Sequence, residues 1–162
     1  MRIGIPAETL AGEARVAATP ETVKKLVAQG HSIAMQANAG VHADAPDADY
    51  IAAGATIVGR DEAFAAEMVL KVRPPTADEL ALMKPGTVLV GMLDPFNVDG
   101  LHAMTAAGLT AFALEAAPRT SRAQSMDVLS SQANIAGYKA VILAANIYQR
   151  FMPMLMTAAG TV

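Results

Sequence analysis

The chain has 162 residues, a length typical of one domain that buries a real hydrophobic core. Its formal net charge is −3 and its Lys and Arg residues form no basic cluster, so nothing favours binding to nucleic acid. The absence of cysteine excludes disulfides and cysteine-based zinc sites, and a reducing compartment is expected.

The composition is more apolar than that of an average soluble domain. Mean hydropathy is +0.33, and 17% of the residues are charged, against about 25% in typical domains. Two interpretations stay open: an Ala-rich composition, or a surface that a partner or further domain covers. The apolar segment Phe151–Met156 favours the second. No apolar run approaches the roughly 20 residues of a membrane span, so no direct membrane insertion is expected.

Strand and helix patterns alternate along the first half of the chain. Arg2–Pro6 is an apolar run that predicts a strand. Thr19 followed by Pro20 predicts a helix start, because Thr caps free N–H groups and Pro suits the first helical position; Gly30 ends this helix. The remaining elements are a strand, a short helix, a short strand and a helical turn: His31–Gln36, Asp47–Ala53, Thr56–Val58 and the turn after Asp61.

The alternation continues in the second half. Met68–Val72 predicts a strand, and Thr76 with Glu79 three residues later is a capping-box pattern that predicts a helix start. Thr87–Met92 is the most β-like run. The remaining elements are a helix, a strand, a polar irregular stretch and a long helix: Val98–Ala107, Leu109–Leu114, Glu115–Ser125 and about Ser130 to Arg150.

Strands separated by helices imply right-handed crossovers and a parallel sheet. We therefore expect an α/β fold with an open, doubly wound parallel sheet, a flavodoxin-like or Rossmann-like three-layer sandwich. No Gly-x-Gly-x-x-Gly cluster occurs, so the sheet lacks a dinucleotide fingerprint of its own. Residues 1–130 are expected to form the α/β domain, and residues 131–162 a connector helix and tail.

Ligands of such sheets gather at the carboxyl ends of the strands. Arg15 lies in a segment of this kind and could hold a carboxylate bidentately, although the pattern alone favours a surface salt bridge with Glu8 or Glu13. Lys71 lies in an apolar strand, where a cation is costly unless it is paired or faces a cleft. An edge strand with an outward Lys is the alternative.

A dense polar cluster occupies residues 118–134 of the otherwise apolar chain. It contains two Arg, three amide side chains, one carboxylate and several hydroxyl groups. Arg can bind phosphate, and the other groups can hydrogen-bond an amide of a ligand. The alternative is that Asp127 or Ser130 caps the long helix and the rest is a solvated loop.

These residues carry a resemblance to a known family. Glu13–Pro20, and Lys71–Arg73 after an apolar strand, resemble the shared N-terminal domain of alanine dehydrogenases and transhydrogenases. Pro118–Tyr138 is similar to the transhydrogenase branch specifically, and Met156–Gly160 resembles the segment before that family's dinucleotide fold. The resemblance covers the whole chain and points to the soluble, NAD(H)-binding alpha subunit of proton-translocating NAD(P) transhydrogenases.

The resemblance implies an oxidoreductase that transfers hydride directly between NAD(H) and NADP(H), coupled to proton translocation by membrane partners. The loop from Arg119 to Ser130 would reach the nicotinamide of NADH. Gln124 and Asp127 would orient the ring and are the catalytic candidates, Ser130 would bond the carboxamide, and Arg119 would contact the nucleotide and the facing component. These four residues are the cofactor-binding candidates; no metal is implied.

The resemblance also implies partners. They are an NAD-binding domain after residue 162, an NADP-binding component, a transmembrane subunit and a second copy in a homodimer. The fragment alone is then expected to be inactive, and the protein to lie in the cytoplasm on the inner face of the membrane.

Two alternatives stay open. An alanine-dehydrogenase-like amino-acid dehydrogenase would use Arg15 and Lys71, which match the residues that hold pyruvate in that branch. That branch also uses a His after the fifth strand, where this chain has Leu93–Phe96, so Arg15 and Lys71 are expected to be family remnants. A non-catalytic dimerisation or binding module is the other alternative.

Overall fold

The computed structural model describes residues 1–118, 120–150 and 156–161. Six strands form one sheet: β1 Arg2–Ile5, β2 Ser32–Gln36, β3 Thr56–Val58, β4 Met68–Leu70, β5 Val88–Gly91 and β6 Thr110–Ala113. Their order is β3-β2-β1-β4-β5-β6, and every neighbouring pair is parallel. The expected doubly wound parallel sheet is confirmed, and its strand order reverses between β1 and β4.

Within residues 1–118, five α-helices connect the strands: α1 Pro20–Ala28, α2 Asp47–Ala52, α3 Arg60–Phe64, α4 Ala77–Leu80 and α5 Val98–Ala106. The helix starts follow the sequence signals. Thr19 accepts the Thr22 N–H at the start of α1, and Thr76 and Glu79 form the reciprocal capping box of α4. The helix expected from Thr76 is shorter than its pattern indicated, because α4 ends at Leu80.

Two clusters of buried side chains make up the core of residues 1–118. One joins β1 and β2 to α1 and α2, and includes Ile5, Met35 and Tyr50. The Tyr50 hydroxyl donates a hydrogen bond to the Ala18 carbonyl at 2.9 Å, so its buried polar atom is paired. The other cluster joins β4 and β5 to α3 and α5, and is centred on Phe64 and Leu89.

Residues 119–162 form a second compact unit, distinct from residues 1–118. Its described part contains the long helix α6 (Val128–Ile147) and the hairpin of β7 (Met156–Thr157) and β8 (Gly160–Thr161). Apolar side chains of α6 are exposed. None of the described helices is long and apolar enough to cross a membrane. Residues 151–155 of the apolar tail lie outside the described residues, and the division at residue 130 stays a prediction.

A tight contact between β1 and α3 fixes the centre of the sheet. A Cβ atom added at Gly4 would overlap the carbonyl oxygen of Ala63. The backbones therefore approach closely only because position 4 has no side chain.

We expect Gly4→Ala to lower the free energy of unfolding by about 1–3 kcal/mol, because the methyl group must push α3 away from the sheet. Urea unfolding followed by circular dichroism measures this change. Gly100→Ala is the matched control, since a Cβ there makes only ordinary contacts with Asn97. A Gly4→Ala protein as stable as the control would contradict the close approach.

Candidate functional site

The carboxyl ends of β1 and β4 lie side by side at the point where the strand order reverses. These strands pair in parallel, with Gly4 opposite Val69. Lys71 follows β4 directly, because the strand ends at Leu70 and not at Val72 as expected. The alternative of an edge strand with an outward Lys is wrong, since β4 lies between β1 and β5 and Lys71 is buried.

Three buried charged side chains, Glu8, Lys71 and Glu79, form what we call the switch-point cluster. The Lys71 Nζ lies 3.3 Å from Glu8 Oε2 and 3.2 Å from Glu79 Oε1, and each side chain is at most 2% exposed. The other oxygen of Glu8 accepts the Val72 N–H at 2.6 Å, and that of Glu79 accepts the Thr76 N–H at 2.9 Å. The chain's own carboxylates therefore satisfy the Lys71 ammonium.

A second charged group lies on the same segments. The carboxylate of Glu13 accepts hydrogen bonds from Arg15 Nε at 2.6 Å and from Arg73 Nε at 2.7 Å. Hydrogen bonding from Arg15, reinforced by Arg73, lowers the pKa of Glu13 from its ordinary 4.5 to about 2 against the opposing effect of burial. Glu13 in turn raises the pKa of Arg15. The salt bridge proposed for Arg15 is thus present, and its partner is Glu13.

The two groups together balance in charge. They contain three carboxylates and three cations: Glu8, Glu13, Glu79, Arg15, Lys71 and Arg73. These side chains tie the segment after β1 to the segment after β4. The edge where a doubly wound sheet commonly takes a ligand is here held by internal ion pairs.

The neighbouring corner of the edge lies where β5 and β6 end. Asp94 adopts the left-handed backbone conformation, with φ of 52°, and its N–H donates to Glu115 Oε1 at 2.7 Å. Sequence reasoning missed this contact, because residues 21 apart carry no mutual pattern. The alanine dehydrogenase branch is expected to carry a His in this region, and Asp94 and Phe96 occupy it here.

The polar loop is described from Thr120 onward, in the second unit; Arg119, one of the four cofactor-binding candidates, lies outside the described residues. Gln124 begins a 3₁₀ turn whose carbonyl accepts the Asp127 N–H at 3.3 Å. The Asp127 carboxylate accepts the Ser130 N–H at 3.0 Å and the Ser130 hydroxyl at 2.6 Å. Asp127 therefore caps α6, and the structure brings Gln124, Asp127 and Ser130 together on one turn.

We expect Lys71→Met to lower the free energy of unfolding by about 3–5 kcal/mol, because Glu8 and Glu79 would remain buried without a cation. Thermal and urea unfolding measure this effect. Lys84→Met is the matched control: Lys84 is exposed, and its loss should change stability by no more than about 0.5 kcal/mol. Equal effects of the two substitutions would show that the cluster contributes nothing to the fold.

A second prediction concerns pH. Because folding lowers the pKa of Glu13, its stabilising contribution is complete above pH 4.5 and is lost as pH falls toward about 2. We expect wild type to exceed Glu13→Gln by about 1–2 kcal/mol at pH 6, a value reduced by solvent screening of the arginines, and the two to converge near pH 2.

Urea unfolding between pH 2 and pH 7 measures this difference. Glu62→Gln, which removes one partner of an exposed ion pair with Arg2, is the control and should show little difference. A gap between wild type and Glu13→Gln that stays constant with pH would contradict the assignment.

Known proteins resemble this chain along its whole length. The family model described as "Alanine dehydrogenase/PNT, N-terminal domain" matches residues 4–136. A chain of the NAD(P) transhydrogenase subunit alpha of Rhodospirillum rubrum is 49% identical over 100% of this chain and 44% of its own length. The crystal structure of transhydrogenase from Sinorhizobium meliloti superposes with a TM-score of 0.92 and 48% identity, covering 100% of this chain and 49% of that chain.

An alanine dehydrogenase of Mycobacterium tuberculosis is 44% identical over 57% of this chain and 26% of its own length. The chain thus spans less than half the length of each of these relatives. The match of the family model, together with the doubly wound sheet, establishes that the chain belongs to the alanine dehydrogenase/PNT N-terminal domain family.

Proposed function

We propose that this chain is a portion of an NAD(P) transhydrogenase, an oxidoreductase that transfers hydride directly between NAD(H) and NADP(H) and is coupled to proton translocation by membrane partners. One observation carries the proposal. The transhydrogenase from Rhodospirillum rubrum matches 100% of the chain, including the polar loop, whereas the alanine dehydrogenase matches 57% of it.

In this proposal the polar loop orients the nicotinamide of NADH. Gln124 and Asp127 position the ring, Ser130 bonds its carboxamide, and Arg119 contacts the nucleotide and the facing component. The donor and acceptor groups fit this task, because an amide, a carboxylate and a hydroxyl complement a carboxamide. The hydrogen bonds between Asp127 and Ser130 support it, since they fix both side chains before any ligand arrives.

The chemistry asks for orientation and not for a protein acid or base. The bound nicotinamides supply the hydride donor and acceptor. The side chains must hold the reacting positions at about 3–3.5 Å and exclude water. A capped helix start meets the first requirement, because the cap restrains the turn from Gln124 to Ser130.

The remaining binding surface is proposed to lie elsewhere in a longer protein. This chain lacks the glycine cluster that cradles a pyrophosphate, so we assign NAD binding to a further domain. α6 would be the connector to it, and its exposed apolar side chains are a surface that such a domain would cover. An NADP-binding component, a transmembrane subunit and a second copy complete the assembly, at the inner face of the membrane.

The charged edge is proposed to be structural. Lys71 is enclosed by Glu8 and Glu79, and Arg15 is engaged by Glu13, so pyruvate would have to displace internal carboxylates. Asp94 and Phe96 also supply no imidazole after β5. These features disfavour an amino-acid dehydrogenase.

The test joins this chain, within its full-length protein, to the NADP-binding component. We expect NADH-dependent reduction of an NADP analogue, and a fall of about 10²-fold in Asp127→Asn from lost ring orientation. Asn caps helices as well as Asp, so this substitution removes the charge and keeps the cap. Asp99→Asn, at the exposed start of α5, is the control and should leave the rate unchanged.

The same proteins are offered pyruvate with ammonium, for which no turnover is expected. Pyruvate turnover without reduction of the analogue would overturn the proposal in favour of an amino-acid dehydrogenase. Equal rates in Asp127→Asn and Asp99→Asn would remove Asp127 from the site.

A further inference from the structure

The loop between β5 and α5 presents an aromatic ring to solvent. Phe96 is 90% exposed, whereas Leu93, three residues earlier, is buried in the core. Exposing a whole phenylalanine ring forgoes the roughly 1.5–3 kcal/mol that burial of such a side chain contributes. Large apolar groups left in this state often mark a contact surface.

The backbone holds this ring in a defined place. Asp94 adopts the left-handed conformation, which a non-glycine residue adopts at a cost, and its N–H is held by Glu115. Asn97 donates its N–H to the Asp94 carbonyl at 3.0 Å, and its side chain caps α5 by accepting the Gly100 N–H at 3.1 Å. Phe96 therefore lies between two anchored residues and is presented by a pinned loop.

This loop lies at the corner of the sheet from which the polar loop departs. β5 and β6 are parallel neighbours, with Gly91 opposite Ala113, so their carboxyl ends are adjacent. The polar loop begins a few residues after β6 along the chain. Glu115, in the 3₁₀ turn that follows β6, ties the two strand ends together through Asp94.

We infer that Phe96 is an anchor residue for the protein component that brings the second nicotinamide nucleotide, inserting its ring into an apolar pocket of that component. This inference rests on the proposed function. Direct hydride transfer requires the second nucleotide to meet the first in near contact, so its carrier must dock against this corner. Aromatic side chains at the centre of such contacts commonly dominate binding.

Phe96→Ala in the full-length protein tests the inference, with binding of the NADP-binding component measured by titration calorimetry and by the component concentration that gives half-maximal hydride transfer. We expect both to weaken by at least about tenfold, while the rate at saturation and the Kd for NADH stay at wild-type values. Phe112→Ala is the matched control: Phe112 is a 56% exposed phenylalanine within β6, and its loss should leave binding unchanged.

Glu115 provides a second variant that does not touch the partner. Glu115→Ala releases Asp94 and should weaken binding of the component, whereas Glu115→Gln keeps an oxygen that accepts the Asp94 N–H and should bind like wild type. Unchanged binding in Phe96→Ala, or a loss equal to that in Phe112→Ala, would overturn the inference. A loss of NADH affinity alone would also overturn it, by placing Phe96 on the first nucleotide. Wild-type protein that transfers no hydride would instead defeat the proposed function itself.

Discussion

The buried ammonium group of Lys71 is the interaction on which the carboxyl edge of this sheet depends. It lies at the end of a central strand, where an unpaired cation would be strongly unfavourable. Glu8 and Glu79 answer that cost, and their remaining oxygens accept backbone N–H groups. The segments after β1 and β4 are thereby fixed to each other, and the capping box that starts α4 belongs to the same arrangement.

Two kinds of polar group divide the molecule. The charged side chains near the β1 and β4 ends are buried or face one another, and their charges balance, so they act on the fold. The polar groups after β6 are exposed and arranged around a helix start. This division agrees with a domain whose proposed task is to orient a ring, because orientation needs a rigid scaffold and a few well-placed hydrogen bonds.

The fold could be predicted from the sequence because its signals are local. Thr19 with Pro20, and Thr76 with Glu79, mark helix starts within three residues, and short apolar runs mark the strands. The environment of Lys71 could not be predicted in this way. It depends on β4 ending at Leu70 and on Glu8, 63 residues earlier, lying on the adjacent strand end.

The candidate site was partly predictable for the same reason. The cap formed by Asp127 and Ser130 spans three residues and was one of two interpretations of the polar cluster. The hydrogen bond between Asp94 and Glu115 joins different strand ends and has no local signature. The roles of Gln124, Asp127, Ser130 and Arg119 toward NADH stay predictions.

The central claim, that this domain serves direct transfer between two nicotinamides, is tested most directly by isotope tracing. The full-length protein with its NADP-binding component would be given NADH deuterated at the transferring position of C4, and the reduced NADP analogue analysed by mass spectrometry. Direct transfer predicts that the deuterium appears in the product without dilution by solvent hydrogen. Loss of the label to water, or its appearance in alanine when pyruvate and ammonium are present, would contradict it.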